Sequence, residues 1–266
     1  MNTIQELMSL KGRRILLTGA TGNIGKYIAI TLAELGGDLV LTDIPGSDYS
    51  KLIKLIEEVS NVNVESFDCQ LESDKSRRKL VSFIKDSEKP LNVIINNAAF
   101  VGTSQLAGWA TDFESQSVET WRRALEVNLT AVFDLCKGLS TKLKESKGGS
   151  IINIASIYGS NAPDYSLYEG TNMANPAAYA ASKGGLIQLT KWLSSTVAPD
   201  IRVNAISLGG VFRNQNKKFV KRYIAQTPMN RMATEEDIKG IIAYLSSDLS
   251  KYVTGQDFVI DGGWSV

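Results

Sequence analysis

Tyr179 and Lys183 stand four residues apart in Tyr179-Ala180-Ala181-Ser182-Lys183, a spacing that stacks both side chains on one face of a helix. A phenol by itself titrates near ~10, too high to exchange protons readily at neutral pH. A neighbouring ammonium stabilises the phenolate and brings that value down. The pair is therefore a way to build a general acid/base without histidine, and the chain contains no histidine. Alone, the pattern also suits a solvated helix pair. Two further polar residues decide between these readings, Ser156 behind the pair and Asn128 further back.

Ser156 closes an apolar run, Ser150 to Ala155, that predicts a strand after Gly148-Gly149. In a parallel sheet the C-terminal strand ends are where ligands bind. Asn128 falls between Leu125 and Val132 on the apolar stripe of a helix predicted over Val118 to Lys142, with Trp121, Leu129 and Cys136 buried on the same stripe. A buried amide needs hydrogen-bond partners, whether its role is structural or catalytic.

The elements that must position these groups alternate along the chain. Arg13 to Thr18 reads as a strand, followed by Thr18-Gly19-Ala20-Thr21-Gly22-Asn23-Ile24-Gly25 and a helical pattern through Ile28, Leu32 and Leu35. Strand, glycine turn and helix in that order is the setting of a dinucleotide fingerprint, in which glycines admit a pyrophosphate to free helix-start amides. The candidate contacts within it are Gly19, Thr21, Asn23 and Ile24. A second strand, Asp38 to Thr42, ends at Asp43, 18 residues past Gly25. A carboxylate there accepts from both hydroxyls of an adenosine ribose and repels a 2′-phosphate, which favours NAD over NADP. A solvated strand-end aspartate is the plainer alternative.

The alternation continues with a helix over Tyr49 to Val59, a strand over Val62 to Phe67, a helix over Ser73 to Ile84 and a strand over Leu91 to Ile95. Asn96-Asn97-Ala98-Ala99 closes that strand, as a loop beside a flat ligand or as a simple turn. A long loop then runs from Phe100 to Val118 with Gly102, Thr103, Ser104, Trp109 and Phe113; loops of that length are usually functional. Ile157 to Ala178 has no clear period, and the Tyr179 helix runs to about Val197, with Ala180, Ala181, Gly184 and Gly185 permitting close packing. Ile201 to Ile206 is a sixth strand. A polar, mobile-looking stretch leads from Leu208 to Arg231, Thr234 opens a helix to about Ser246, and Phe258 to Ile260 is the last strand. The pattern predicts an α/β fold: a Rossmann-type, doubly wound parallel sheet of about seven strands with helices on both faces. One domain over 1–266 is expected, with substrate loops at 97–118, 157–178 and 208–231.

Composition agrees with a globular enzyme-sized chain. Its 266 residues are 43% hydrophobic and 21% charged, with a net charge of +1 and basic residues scattered along the sequence. Nothing in this argues for a nucleic-acid or membrane partner. Met1 to Leu10 lacks the basic leader and apolar core of a secretion signal, and no apolar run nears the ~18 residues that span a bilayer. Cys69 and Cys136 show neither metal-ligand nor redox spacing, so free thiols in a reducing cytoplasm are expected, with no metal site.

Together these residues resemble the short-chain dehydrogenase/reductase superfamily in its single-domain form, over essentially the whole chain from Thr18 to Gly263. The carriers are Thr18 to Gly25, Asp68, Asn96-Asn97-Ala98-Ala99, Asn128, Ser156 with Tyr179 and Lys183, and Tyr252-Val253-Thr254-Gly255. The resemblance implies that Tyr179 is the acid/base and that Ser156 holds the substrate oxygen. Lys183 would bind the nicotinamide ribose and tune Tyr179, and Asn128 would anchor a water in a proton relay. Asp68 and Cys69 would flank the adenine, Asn96 and Ala98 would line the adenosine side, Ile24 would contact the cofactor by backbone, and Val211 the nicotinamide amide. A homotetramer is also implied.

Four departures from the family pattern stand out. Asn23 occupies a position where a small residue is usual, and Ala99 replaces the last glycine of its motif. Leu208 and Arg213 replace the usual proline and threonine of the lid. Ser156 and Tyr179 lie 23 positions apart, about ten more than is common, and the extra residues are similar to those of oxidoreductases in bacterial surface-polysaccharide and flagellin-glycosylation pathways. The expectation is an NAD-dependent oxidoreductase acting on an alcohol or ketone of a sugar or sugar derivative, sugar phosphates included. A 3-oxoacyl or other lipid-like carbonyl reductase is the rival enzyme, and a non-catalytic NAD-binding regulator or scaffold the rival of another class.

Overall fold

Ile15, Leu16 and Leu17 are consecutive and apolar, so their strand is stable only with both faces covered. In the computed structural model, which describes residues 1–101, 106–146 and 148–266, all three are fully buried. Ile15 and Leu17 pack on one face, Leu16 on the other, as a two-residue period requires. Among the described residues the seven strands are β1 (Arg14–Thr18), β2 (Asp38–Asp43), β3 (Val64–Asp68), β4 (Val93–Asn96), β5 (Gly149–Ser156), β6 (Ile201–Leu208) and β7 (Asp257–Ile260). All pair in parallel, in the order β3-β2-β1-β4-β5-β6-β7. Rossmann-type doubly wound topology is thus observed in a single domain. The order reverses between β1 and β4, and the crevice that this opens at the C-terminal strand ends is where the glycine turn, Asn97 and Ser156 emerge.

One face of the sheet is covered by α2 (Asn23–Glu34), α3 (Ser50–Val59) and α9 (Lys239–Ser246), through Ile28, Leu32, Leu52, Ile56, Ile242 and Leu245. The other is covered by α4 (Asp74–Asp86), α6 (Ala131–Lys144) and α7 (Ala177–Val197), through Leu80, Ile84, Leu135, Leu139, Leu186 and Leu193. Truncating any one of these to alanine costs about 2–5 kcal/mol.

Three local expectations are corrected. The helix expected over Val118 to Lys142 is α5 (Val118–Leu125) and α6, joined by a π-helical turn at Glu126–Thr130. Trp121, expected inside, is exposed, because the stripe that buries Val132 and Cys136 does not continue through the turn. The stretch from Leu208 to Arg231 contains a helix, α8 (Lys217–Gln226), whose Phe219 and Tyr223 are buried one turn apart against Tyr168 and Trp264. A short helix, α1 (Ile4–Met8), also forms behind a Thr3 capping box. Gly102, Thr103 and Ser104 of the long loop lie outside the described residues.

Candidate active site

Ser156 is the last residue of β5, and α7 brings Tyr179 and Lys183 to it. Close approach is possible because a Cβ added at Gly184 would stand 3.0 Å from the Gly159 carbonyl oxygen, and one at Gly185 would stand 2.8 Å from Leu129. Small residues thus let α7 lie against the turn after β5 and against the π-helical turn. Lys183 is buried, and its Nζ donates to the Ile154 carbonyl at 2.7 Å. Its Nζ lies 5.7 Å from the Tyr179 ring centroid.

The electrostatics differ from what the spacing alone suggests. Burial is the largest influence on Tyr179 and raises its pKa; a hydrogen bond with Ser156 and the charge of Arg213 oppose it. Burial lowers Lys183 from 10.5 to about 8, because an ammonium at that depth has lost its water. The cation expected to pull Tyr179 down is itself weakened, and Arg213, one of the departures from the family pattern, acts on the phenol instead.

Asn128 is buried within the π-helical turn, as a polar residue on an apolar stripe must be if its bonds are made. Its Oδ1 accepts from the Phe100 amide at 2.6 Å, and its Nδ2 donates to Ser182 Oγ at 2.9 Å and to the Phe100 carbonyl at 3.4 Å. Ser182 Oγ in turn donates to the Tyr179 carbonyl at 2.8 Å. Both amide hydrogens are thus placed, and the side chain ties the β4 loop to the helix carrying Tyr179.

A cleft of about 1290 Å³ runs from the end of β2 to these groups, lined by Gly19, Thr21, Asn23, Ile24, Asp43, Cys69, Ala98, Ser156, Tyr179, Lys183 and Val211 among others. A dinucleotide fits its walls. Gly19 has φ +65°, and a Cβ there would stand 2.8 Å from the Ala98 Cα. One at Gly25 would fall 2.1 Å from the Gly19 carbonyl oxygen, so the turn accepts no side chain at either position. Gly22 caps α2 without a side-chain bond, leaving first-turn amides open to an anion. At the far end, Asp43 Oδ2 accepts from the Thr21 amide at 2.8 Å and its hydroxyl at 2.7 Å, while Oδ1 accepts from the Ile44 amide. Asp68 is exposed at the end of β3 and takes the Gly46 amide, and Cys69 beside it faces the cleft.

One cofactor expectation needs correction. The Asn96 side chain points away from the cleft: it shares the parity of Ile94, and its Nδ2 donates to Asn153 at 2.8 Å under α6 and α7. Asn97 lines the cleft instead, donating to the carbonyls of Thr18 and Gly19. Val211 lines the cleft, its carbonyl accepting from Gln215 Nε2 at 2.7 Å while Gln215 Oε1 holds the Arg213 amide.

The extra segment after Ser156 forms the remaining wall. Tyr168 and Tyr158 share a hydroxyl–hydroxyl bond of 2.9 Å. An aromatic row continues from Tyr165 and Tyr168 through Phe219 and Tyr223 to Trp264. Arg222 donates to the carbonyls of Leu167 and Glu169, and Gln226 to Asp164, so the segment and α8 form one packed unit. Sequence reasoning missed Asn97, Gln215 and this unit; the Phe219/Tyr223 spacing was the available signal for the last.

A doubly wound sheet, a glycine turn at its switch point and a Ser/Tyr/Lys cluster at the β5 edge define a nicotinamide-dependent oxidoreductase scaffold. Residues 19–265 match the family model described as enoyl-(acyl carrier protein) reductase. The chain belongs to the short-chain dehydrogenase/reductase superfamily, in its single-domain form. It is 28% identical to the 3-oxoacyl-(acyl-carrier-protein) reductase FabG of Thermotoga maritima, over 96% of this chain and 99% of that one. It is 31% identical to the NADP-dependent mannitol dehydrogenase of Alternaria alternata, over 99% and 96% of the two chains. It is 29% identical to the post-translational flagellin modification protein A of Campylobacter coli, over 97% and 100%, in line with the flagellin resemblance. Among solved structures it superposes on a short chain dehydrogenase of Leptospira borgpetersenii with bound NAD+, with a TM-score of 0.84, 30% identity and coverage of 100% and 97%. No helix among the described residues is long and apolar enough to cross a membrane.

Proposed function

We propose that this oxidoreductase uses NAD to interconvert a secondary alcohol and a ketone in a polyhydroxylated molecule, a sugar or sugar derivative first. The observation that carries the reading is the convergence of Ser156, Tyr179 and Lys183 on one end of a cleft whose other end is acidic. Lys183, Arg123 and Arg213 are the cations among the described lining residues; Arg123 is paired with Glu72 and Arg213 with Glu235. Asp43 and the neighbouring Asp68 would repel a 2′-phosphate at the adenosine end.

When bound, the nicotinamide supplies the hydride acceptor or donor. The first-turn amides of α2 hold its pyrophosphate and Asp43 its ribose hydroxyls. Ser156 Oγ orients the substrate oxygen, and the Tyr179 hydroxyl takes or gives that oxygen's proton. Lys183 and Arg213 favour the phenolate. Asn128, through Ser182, fixes the main chain at Tyr179. Tyr158, Tyr168, Asn172 and Asn175 offer flat apolar faces and hydrogen-bonding groups to a sugar.

The matched family description and the Thermotoga relative favour a second reading, an acyl-type carbonyl reductase. The wall argues against it, since an acyl chain calls for leucine and valine where this chain has tyrosine and asparagine. The test is to assay sugars, sugar phosphates and polyols with NAD, and an acetoacetyl thioester with NADPH, following reduced-nicotinamide absorbance. Turnover of the thioester alone would reverse the order.

The unpaired, buried thiols Cys69 and Cys136 support a reducing, cytoplasmic setting. Exposed Trp121, Phe133 and Trp192 on α5, α6 and α7 support association into a homotetramer.

A further inference from the structure

Asn175 closes the extra segment, immediately before the Pro176 that caps α7 and one turn ahead of Tyr179. Its side chain is only 5% exposed, and its Nδ2 is buried with no hydrogen-bond partner among the described residues. Its backbone is held, since its carbonyl accepts from the Tyr165 hydroxyl, and the residue before a proline is confined to extended conformations. Leaving a buried donor unpaired is costly, so such a group in a cleft points to a ligand that completes it.

A second donor stands on the same wall. The hydroxyls of Tyr158 and Tyr168 share one hydrogen bond, and neither has another partner among the described residues. Whichever way that bond runs, one of the two phenolic protons has no acceptor. Both rings and Asn175 line the cleft beside Ser156 and Tyr179. Tyr158 and Tyr168 are close enough to Tyr179 for each to feel its charge, and burial raises the pKa of both, so both remain donors at neutral pH.

We propose that Asn175 Nδ2 and the Tyr158–Tyr168 pair form a second oxygen subsite, which binds an oxygen on the carbon next to the one that reacts. The substrate class is then the vicinal diol and its α-hydroxy ketone, rather than an isolated alcohol. This rests on reading the cleft as a dehydrogenase substrate site and adds which oxygens it requires. Ser156 and Tyr179 take the reacting oxygen; Asn175 and the tyrosine pair take its neighbour. An analogue lacking that neighbour leaves both donors unpaired, which is the strongest form of discrimination a polar site offers.

The test compares 3-hydroxybutan-2-one with butan-2-one as substrates with NADH, and butane-2,3-diol with butan-2-ol as ligands in melting experiments with NAD. The wild type is expected to favour the hydroxy ketone in kcat/KM by at least about tenfold. Asn175→Leu, close in size but without polar atoms, is expected to cut that ratio to within about threefold of one. It should also raise the melting temperature of the ligand-free protein by about 2–4 °C, because the unpaired donor is gone. Asn175→Asp keeps the shape, replaces donor by acceptor, and should lose the preference as well. The melting shift given by the diol over the mono-ol should be present in the wild type and absent in both variants.

A lowered melting temperature for Asn175→Leu would make the amide structural and overturn the proposal. An unchanged substrate ratio, or a loss of NAD affinity in fluorescence titration, would overturn it too. If the wild type turns over nothing in the broader screen, the dehydrogenase reading fails instead, and the diol-specific melting shift still decides the subsite.

Discussion

The Lys183 ammonium lies 5.7 Å from the centroid of the Tyr179 ring and spends its hydrogen bond on the Ile154 carbonyl. Lysine and tyrosine therefore interact through space at low dielectric rather than by a shared proton. The consequence is a division of labour: Ser156 and the charge of Arg213 act on the phenol, and Lys183 faces its ring. Each part can be removed separately.

Tyr179→Phe keeps the ring and its packing but removes the transferable proton. Turnover should fall by about 10²–10⁴ while NAD affinity, by fluorescence titration, stays within about threefold. Near-normal turnover would return attention to Tyr158, Tyr165 and Tyr168, none of which has a lysine four residues on.

Burial holds Tyr179 above its ordinary pKa, so it is protonated at neutral pH. Alcohol oxidation needs the base form and should rise with pH above neutrality; ketone reduction needs the acid form and should fall. Lys183→Met removes a cation and should move both limbs to higher pH in initial-rate profiles. The same lysine affects stability. Its folded pKa of about 8 is below the unfolded 10.5, so between these values the unfolded chain binds more protons and the wild type gains stability as pH rises. Lys183→Met should thus melt higher than wild type at pH ~7, with the difference shrinking toward pH ~10.

Asp43→Ala should narrow the preference for NAD over NADP by about tenfold or more, measured as the ratio of dissociation constants. Equal wild-type affinity for the two cofactors would refute the NAD assignment.

Arg77 is buried, with Nη1 2.7 Å from Glu126 and Nε 2.7 Å from Asp134, so it clamps the π-helical turn to α6. Both carboxylates are about one-third exposed, which softens the loss when the cation goes. Arg77→Ala should still destabilise the fold by about 3 kcal/mol in urea titration. Because Asn128 sits in that turn, kcat should fall as well.

Homotetramer formation should be visible by light scattering at micromolar concentration. Phe133→Glu with Trp192→Glu, both at exposed positions on α6 and α7, should reduce the mass without unfolding the chain. A monomeric wild type would count against the tetramer.

Much of this protein follows from short-range pattern. Apolar runs of strand length, helical periods and a glycine turn between them specify the order of elements, and parallel pairing with its switch point follows from that order. Tyr179 and Lys183 share a helix face by spacing alone, and Ser156 reaches them because β5 ends where ligands bind. Other features depend on contacts distant in sequence. Asn96 and Asn97 are adjacent amides of opposite parity, and which one faces the cleft depends on which sheet face receives α6 and α7. Helix α8 has a polar sequence, and its stability comes from Phe219 and Tyr223 packing on residues some fifty positions earlier. Trp121 belongs to the right period, yet the π-helical turn shifts the phase and leaves it outside. The weakening of Lys183 is a property of burial, which spacing cannot express. Asn175 reads in sequence as one more loop asparagine; only the packed wall, by burying its amide without a partner, marks it as a group waiting for an oxygen.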